Sequence, residues 1–172
     1  MKLQTVEQIA RALNDARVPF IIVGGLAVVA HGYGRSTQDL DIVIRLQPDA
    51  IGRAFTALAS LGYRPIVPVT AEGFADAGMR ARWIAEKGMR VLAFASDRHR
   101  HTPVDVFAAE PFDFASEYDS AMVQEVAPGV PVRIVRLETL LRLKREAGRP
   151  QDLADVAELQ RVHRNTTDAG PT

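Results

Sequence analysis

Asp39-Leu40-Asp41 sets two acids two residues apart at the head of an apolar run, Ile42-Val43-Ile44. In an extended chain, side chains alternate between faces, so Asp39, Asp41 and Val43 share one face while Leu40, Ile42 and Ile44 share the other. Two carboxylates side by side repel, and one pKa rises unless a cation lies between them. A hard divalent ion meets that need: magnesium favours carboxylate oxygens, keeps several waters and completes its shell with substrate phosphates. A third acid interrupts a second alternation, Val104-Asp105-Val106-Phe107. If that strand neighbours the first, Asp39, Asp41 and Asp105 can hold two ions, one lowering the pKa of an attacking hydroxyl and one steadying a leaving phosphate oxygen. The plainer alternative is three strand-edge acids with no ligand.

The elements that must position these acids are legible around them. Phe20-Ile21-Ile22-Val23 reads as a strand covered on both faces. It ends in Gly24-Gly25, and Leu26 to His31 is small and apolar enough for a short buried helix. Glycines at such a turn admit close approach, and the free N–H groups of a helix start favour a phosphate. A tight turn without a ligand uses the same residues. Leu3, Val6, Ile9, Ala10 and Leu13 predict a first helix that stops before Pro19. The Asp39 to Arg45 strand is followed by a helix over about Pro48 to Leu61, closed by Gly62.

From there the pattern predicts strands at Pro65 to Val69, Arg80 to Glu86, Met89 to Ala95 and Val104 to Phe107, with Lys87-Gly88 as a hairpin turn. Val132 to Val135 reads as the last strand. A helix runs from Leu137 to Glu146, Gly148-Arg149-Pro150 breaks it, and a final helix extends to about His163 before a fraying tail. Lys144 continues the Leu137, Leu140, Leu141 stripe, which points its end inward, toward a phosphate or out past the core into solvent. Asp152, in the first turn of the final helix, complements the helix dipole or serves a ligand. His31 reads as a packed or capping residue, His99 and His101 as loop, and Trp83 and Phe94 as strand residues that pack.

The 172 residues fit one domain with a core that needs neither disulfide nor structural metal. An apolar fraction of 47% and a charged fraction of 24% exclude a disordered or fibrous chain. The formal net charge of zero removes any whole-surface argument for polyanion binding, so two local basic runs, one from Arg80 to Arg100 and one from Arg133 to Arg149, would have to carry it. Their simpler reading is solvated surface. Cysteine is absent, which rules out a thiolate nucleophile and Cys-based zinc. Neither a signal peptide nor a membrane span is apparent, so the expected location is cytoplasmic, with no membrane partner.

The strand ending in Gly24-Gly25, the short helix, the run Arg35-Ser36-Thr37-Gln38-Asp39-Leu40-Asp41 and the later V-D-V strand together resemble the DNA-polymerase-β-type nucleotidyltransferase superfamily. More narrowly, GGLAVVAHGYGRSTQDLDIVI is similar to the bacterial group that includes the AbiEii toxins and small antibiotic-modifying enzymes. Lys144 and the Arg149-Pro150-Gln151-Asp152-Leu153-Ala154-Asp155 segment resemble that group's C-terminal Lys and Arg-x-x-Asp elements. The likeness covers most of residues 18 to 164, strongest at 23 to 44 and weakest from 63 to 100.

The resemblance implies an α+β fold: a mixed sheet flanked by helices, in a single domain over 1 to 172. Its core would end near residue 135, a C-terminal helical segment would span about 136 to 164, and a flexible tail would cover 165 to 172. It further implies Mg²⁺-dependent transfer of a nucleoside monophosphate from an NTP to a hydroxyl acceptor: a small molecule, a protein, or an RNA 3′ end such as that of a tRNA. Asp39, Asp41 and Asp105 would hold two Mg²⁺ ions, and Asp105 would also activate the acceptor. Gly24 and Gly25 would cradle the triphosphate. Many members carry Gly-Ser at this turn; with Gly25 in the second position, phosphate would rest on backbone donors, helped by Ser36, Arg35 or Lys144, with Asp152 nearby. A toxin role would add an antitoxin partner. The alternative is a non-catalytic nucleotide-binding module of the same fold.

Overall fold

The structure, a computed structural model, describes residues 1–168, with side chains to residue 164. The elements run α1 (Leu3–Asp15), β1 (Phe20–Ile22), α2 (Gly24–Ala30), β2 (Leu40–Ile44), α3 (Pro48–Ser60), β3 (Tyr63–Pro65), α4 (Ala71–Ala75) and α5 (Ala77–Lys87). They continue through β4 (Val91–Ser96), β5 (Val104–Phe107), α6 (Phe114–Ser120), β6 (Met122–Ala127), β7 (Val130–Ile134), α7 (Leu137–Ala147) and α8 (Pro150–Asp168). One seven-stranded sheet has the order β3-β4-β5-β2-β1-β7-β6. The β2/β5 and β1/β7 pairs are parallel and the other neighbours antiparallel. This is the expected α+β architecture, a mixed sheet flanked by helices with two helices at the C-terminal end. Helix α8 runs to Asp168, past the expected end near His163, and the remainder of the expected 165 to 172 tail lies outside the described residues.

The central strands are apolar because they are covered on both faces: Ile21, Ile22, Ile42, Val43 and Ile44 are all buried. On one side α3 packs on β3 and β4, with Phe55 edge-on to Phe94 at 5.1 Å between ring centroids and Phe74 of α4 alongside. Local chemistry sets the helix ends. Pro48 opens α3, Asp113 caps α6 through the Ser116 N–H at 2.8 Å, and Gly148, at φ +66°, ends α7 two residues before Pro150 opens α8.

The region from 63 to 90 differs from expectation. Arg80 to Glu86 is the body of α5 and not a strand, so Trp83 packs from a helix, and Lys87-Gly88 is a helix end and not a hairpin turn. The Asp76 side chain accepts from the Met79 N–H at 2.7 Å at one end, and Gly88 takes a left-handed φ of +63° at the other. Those caps outweigh an apparent alternation in which Arg80 is the buried residue, its guanidinium donating to the Phe74 carbonyl. The strand expected at Pro65 to Val69 is shorter and earlier, at Tyr63–Pro65. Helices α4 and α6 and strand β6 carried no readable pattern: α4 and α6 are short, and β6 is an edge strand whose middle is solvent-exposed.

Glu117 of α6 joins two helices. Its buried carboxylate accepts from the Arg136 backbone N–H at 2.8 Å, from the Arg136 guanidinium at 2.9 Å and from Thr139 Oγ1 at 2.8 Å, tying α6 to the start of α7. Burial opposes its charge, but these donors prevail and hold its pKa below the usual glutamate value. A depressed carboxylate stabilises the fold above its unfolded pKa and loses that contribution as pH falls through the folded value. Glu117→Ala should therefore cost about 3 kcal/mol in urea unfolding at pH 7, and markedly less at pH 3.

Candidate active site

The two acid-bearing strands meet side by side. Strand β2 pairs with β5 in parallel, with Leu40 opposite Val104 and Asp41 opposite Asp105. The Leu40 N–H donates to the Pro103 carbonyl at 2.9 Å, and the Val23 N–H donates to the Asp41 carbonyl at 3.0 Å, so β1, β2 and β5 are joined at the acidic end. Asp39 enters from the residue before β2. Asp39, Asp41 and Asp105 each offer a carboxylate oxygen within 4.8 Å of the others, and all three are half-buried. Among the described residues none of the three forms an ion pair with an Arg, Lys or His. Burial, then the charges of Asp39 and Asp105, push Asp41 from 3.8 up to about 6. Burial and Asp39 also raise Asp105. Three hard oxygen donors converging without an ion-paired partner fit a divalent cation.

Gly24 and Gly25 serve this centre directly. Gly24 has a left-handed φ of +61°, and a Cβ there would overlap the Asp41 carboxylate. The Gly25 backbone N–H faces the same carboxylate and offsets part of its rise in pKa. A Cβ on Gly25 would run into the Thr37 side chain, with an Arg35 nitrogen close behind. Thr37 is thus a site neighbour that the sequence did not single out; nothing in its type or spacing marks it. Ser36 is exposed, and its carbonyl accepts from Arg35 Nη1 at 2.8 Å.

Lys144 and Asp152 belong to a buried ionic cluster that braces the C-terminal helices. The Lys144 ammonium lies 3.0 Å from Asp152 and 2.7 Å from Asp155, and all three residues are at most 5% exposed. Arg35 reaches Asp155 at 2.8 Å, and Arg149 reaches Asp152 at 2.6 Å. The cluster therefore spans the segment after α2, the end of α7 and the first turns of α8. Its positive side adjoins the acids: Lys144 lowers the Asp41 pKa, and Asp41 and Asp39 help raise that of Arg149. Asp155, which the sequence offers only as the end of the Arg149 to Asp155 segment, is the most enclosed member. Its signal was the three-residue step from Asp152, which puts both acids on one helical face.

His31 and His99 pack, and His101 is exposed: His31 Nε2 bonds the Val135 carbonyl at 2.8 Å, and His99 stacks on Tyr63 at 5.6 Å between centroids. Of the described residues, no helix is long and apolar enough to cross a membrane.

No protein-family model matches the chain, and neither does any curated protein. Solved structures do. The antibiotic-resistance factor ANT(2″)-Ia, crystallised with adenylyl-2″-tobramycin, superposes with a TM-score of 0.56 at 16% identity, covering 91% of this chain and 86% of that one. Its solution structure gives 0.55 at 17% identity over 97% and 93%. A nucleotidyltransferase-like protein from Paracoccidioides brasiliensis gives 0.54 at 21% identity over 91% and 74%. The chain has the nucleotidyltransferase fold. At these identities the likeness speaks for that fold alone, and the AbiEii resemblance stands on the sequence.

Two measurements follow from this nucleotidyltransferase-fold site. A carboxyl whose folded pKa is raised destabilises the fold once it ionises, so the Asp41 penalty is absent below about pH 4 and complete above about pH 6. Asp41→Asn should therefore stabilise the protein by on the order of 2 kcal/mol at pH 8 and by little at pH 4, in paired urea titrations without divalent ions. Lys144→Ala leaves two buried carboxylates short of their shared cation and should cost about 3–5 kcal/mol in the same titration at pH 7.

Proposed function

We propose that this protein is a nucleotidyltransferase that moves a nucleoside monophosphate from an NTP to a hydroxyl acceptor. The observation that carries the reading is the convergence of Asp39, Asp41 and Asp105 from two adjacent parallel strands into one cluster of half-buried carboxylates. Keeping them together costs repulsion that a purely structural role leaves unanswered. The adenylyl-2″-tobramycin bound to ANT(2″)-Ia is an adenylyl group on an acceptor oxygen, which supports adenylyl as one transferable group.

Asp39, Asp41 and Asp105 would hold Mg²⁺, which when bound supplies charge neutralisation at the phosphates and lowers the pKa of the acceptor hydroxyl. The chain's own residues supply the rest. Asp105, opposite Asp41 on the neighbouring strand, takes the acceptor proton. The freed oxygen forms a bond to the α-phosphorus, the bond from that phosphorus to the β-phosphate oxygen breaks, and pyrophosphate leaves. Gly24 makes room for the Asp41 carboxylate and Gly25 holds it with its N–H, while the Gly24 backbone would meet the triphosphate. Arg149, whose side chain is 77% exposed and close enough to sense Asp39 and Asp41, is the cation best placed to meet phosphate. Asp152, itself anchored by Lys144, holds it there, and Arg35 and Ser36 border the same side. A toxin role with an antitoxin partner is a finer form of this reading and rests on the AbiEii resemblance alone.

Purified protein given α-labelled NTPs, Mg²⁺ and a cell extract as the source of acceptors should produce a labelled acceptor. Asp41→Asn and Asp105→Asn should each lower that labelling by at least about 100-fold while staying folded. Wild-type labelling by both variants would overturn the assignment of the acids. Calorimetric NTP binding without any labelled product would identify a non-catalytic nucleotide-binding module instead.

A further inference from the structure

Between the acids and the edge strand β3, the sheet turns an open face to solvent. Ala93 pairs with Asp105, and Arg64 pairs with Ala95. Residues directly opposite one another share a face, so Asp105, Ala93, Ala95 and Arg64 point the same way. Their alternates Tyr63, Phe94 and Ser96 are buried on the other side, whereas Ala95 and Arg64 are exposed. Two alanines keep the floor low beside Asp105. At its end opens a cavity of about 260 Å³ lined by Ala95, Ser96, Asp97, His99, Arg100 and Pro103, the last of these two residues before Asp105.

Arg100 brings a cation and Asp97 an acid to the cavity wall, and Arg64 adds an exposed cation beside Ala95 on the same face of the sheet. Asp97 meets Arg100 at 3.4 Å with both side chains largely in solvent, a pairing that contributes little and yields to a stronger anion. Among the described residues the Arg64 side chain makes no hydrogen bond or ion pair. The other side of the acid cluster has its own cations, Lys144 and Arg149. Phosphates of an NTP on that side leave Arg64 without an anion and Arg100 with only the solvent-exposed Asp97.

We infer that this cavity is the acceptor subsite and that it selects a hydroxyl compound bearing a phosphate group, a deepening that rests on the transfer activity proposed above. Arg64 and Asp105 lie two strand spacings and two residues apart, roughly 12 Å between Cα atoms by ordinary sheet dimensions. Their side chains narrow that gap to the span of one sugar phosphate, with its hydroxyl at Asp105 and its phosphate at the arginines. A polycationic acceptor would meet the same rim as repulsion.

The experiment offers wild-type protein, Mg²⁺ and α-labelled NTPs a panel of acceptors: ribose 5-phosphate against ribose, glycerol 3-phosphate against glycerol, a short RNA with a free 3′-hydroxyl, and tobramycin. Phosphate-bearing acceptors should be labelled with a kcat/KM at least about tenfold above their neutral partners, and the sugar-phosphate and RNA arms distinguish the two sources of phosphate. Arg64→Glu combined with Arg100→Glu should abolish the preference through KM, while calorimetric binding of a nonhydrolysable NTP stays at the wild-type value. Equal labelling within each pair, a preference for tobramycin, or a preference that survives the double charge reversal overturns the inference. If nothing is labelled, the two sugar phosphates and the RNA are each titrated into protein holding the nonhydrolysable NTP and Mg²⁺. Binding that the double variant loses upholds the inference, and absent binding overturns it. Failure to bind any NTP instead strikes the transfer reading itself and removes the acceptor subsite with it.

Discussion

Like charges at close range are the constraint around which this molecule is arranged. Three carboxylates share one end of a sheet where burial already disfavours ionisation, and Asp41 feels both effects most strongly. Everything nearby either tolerates or moderates that repulsion. Gly24 gives up a side chain so that the backbone can pass beside the Asp41 carboxylate, and Gly25 turns an N–H toward it. Two backbone hydrogen bonds, Leu40 to Pro103 and Val23 to Asp41, keep the strands from separating under the strain.

The second ionic assembly is the electrostatic complement of the first. Lys144, Arg35 and Arg149 outnumber Asp152 and Asp155, so the cluster carries an excess of positive charge on the side nearest the acids. Buried ion pairs contribute little net stability over apolar packing, because desolvation consumes most of the attraction. Their worth here is positional: Asp152 grips the exposed Arg149, and Lys144 is fastened to two successive turns of α8. The junction of α7 and α8 becomes a rigid bracket facing the acidic end of the sheet.

How much of this was legible in the sequence varied with how far each signal depended on distant residues. The β2 alternation, the buried run of β1 and the glycine turn are local patterns, and each appears where the spacing put it. The interruption of the Val104 to Phe107 run by one acid was enough to place Asp105 beside the pair, given parallel neighbours. The segment from 63 to 90 failed because Ala and Arg alternate there without an apolar face, and the capping Asp76 and terminal Gly88 decide for helix. Lys144 was rightly turned inward, but its partners were not foreseen as a pair, since their meeting requires α7 and α8 to fold back on each other. Thr37 left no trace because its role is steric, set by the missing Cβ of Gly25.

The parallel pairing of β2 with β5 also bears on the order in which the chain becomes itself. Asp41 and Asp105 are separated by most of α3, β3, α4, α5 and β4, and no hairpin can join parallel strands. Contacts of such long sequence separation close late, after the local helices and the β4–β5 hairpin have reduced the entropy of closing the loop. A nascent or partly folded chain thus carries the acids but not their convergence. The convergence of the three carboxylates arrives only with the completed sheet, so every immature form of the protein lacks the proposed metal site.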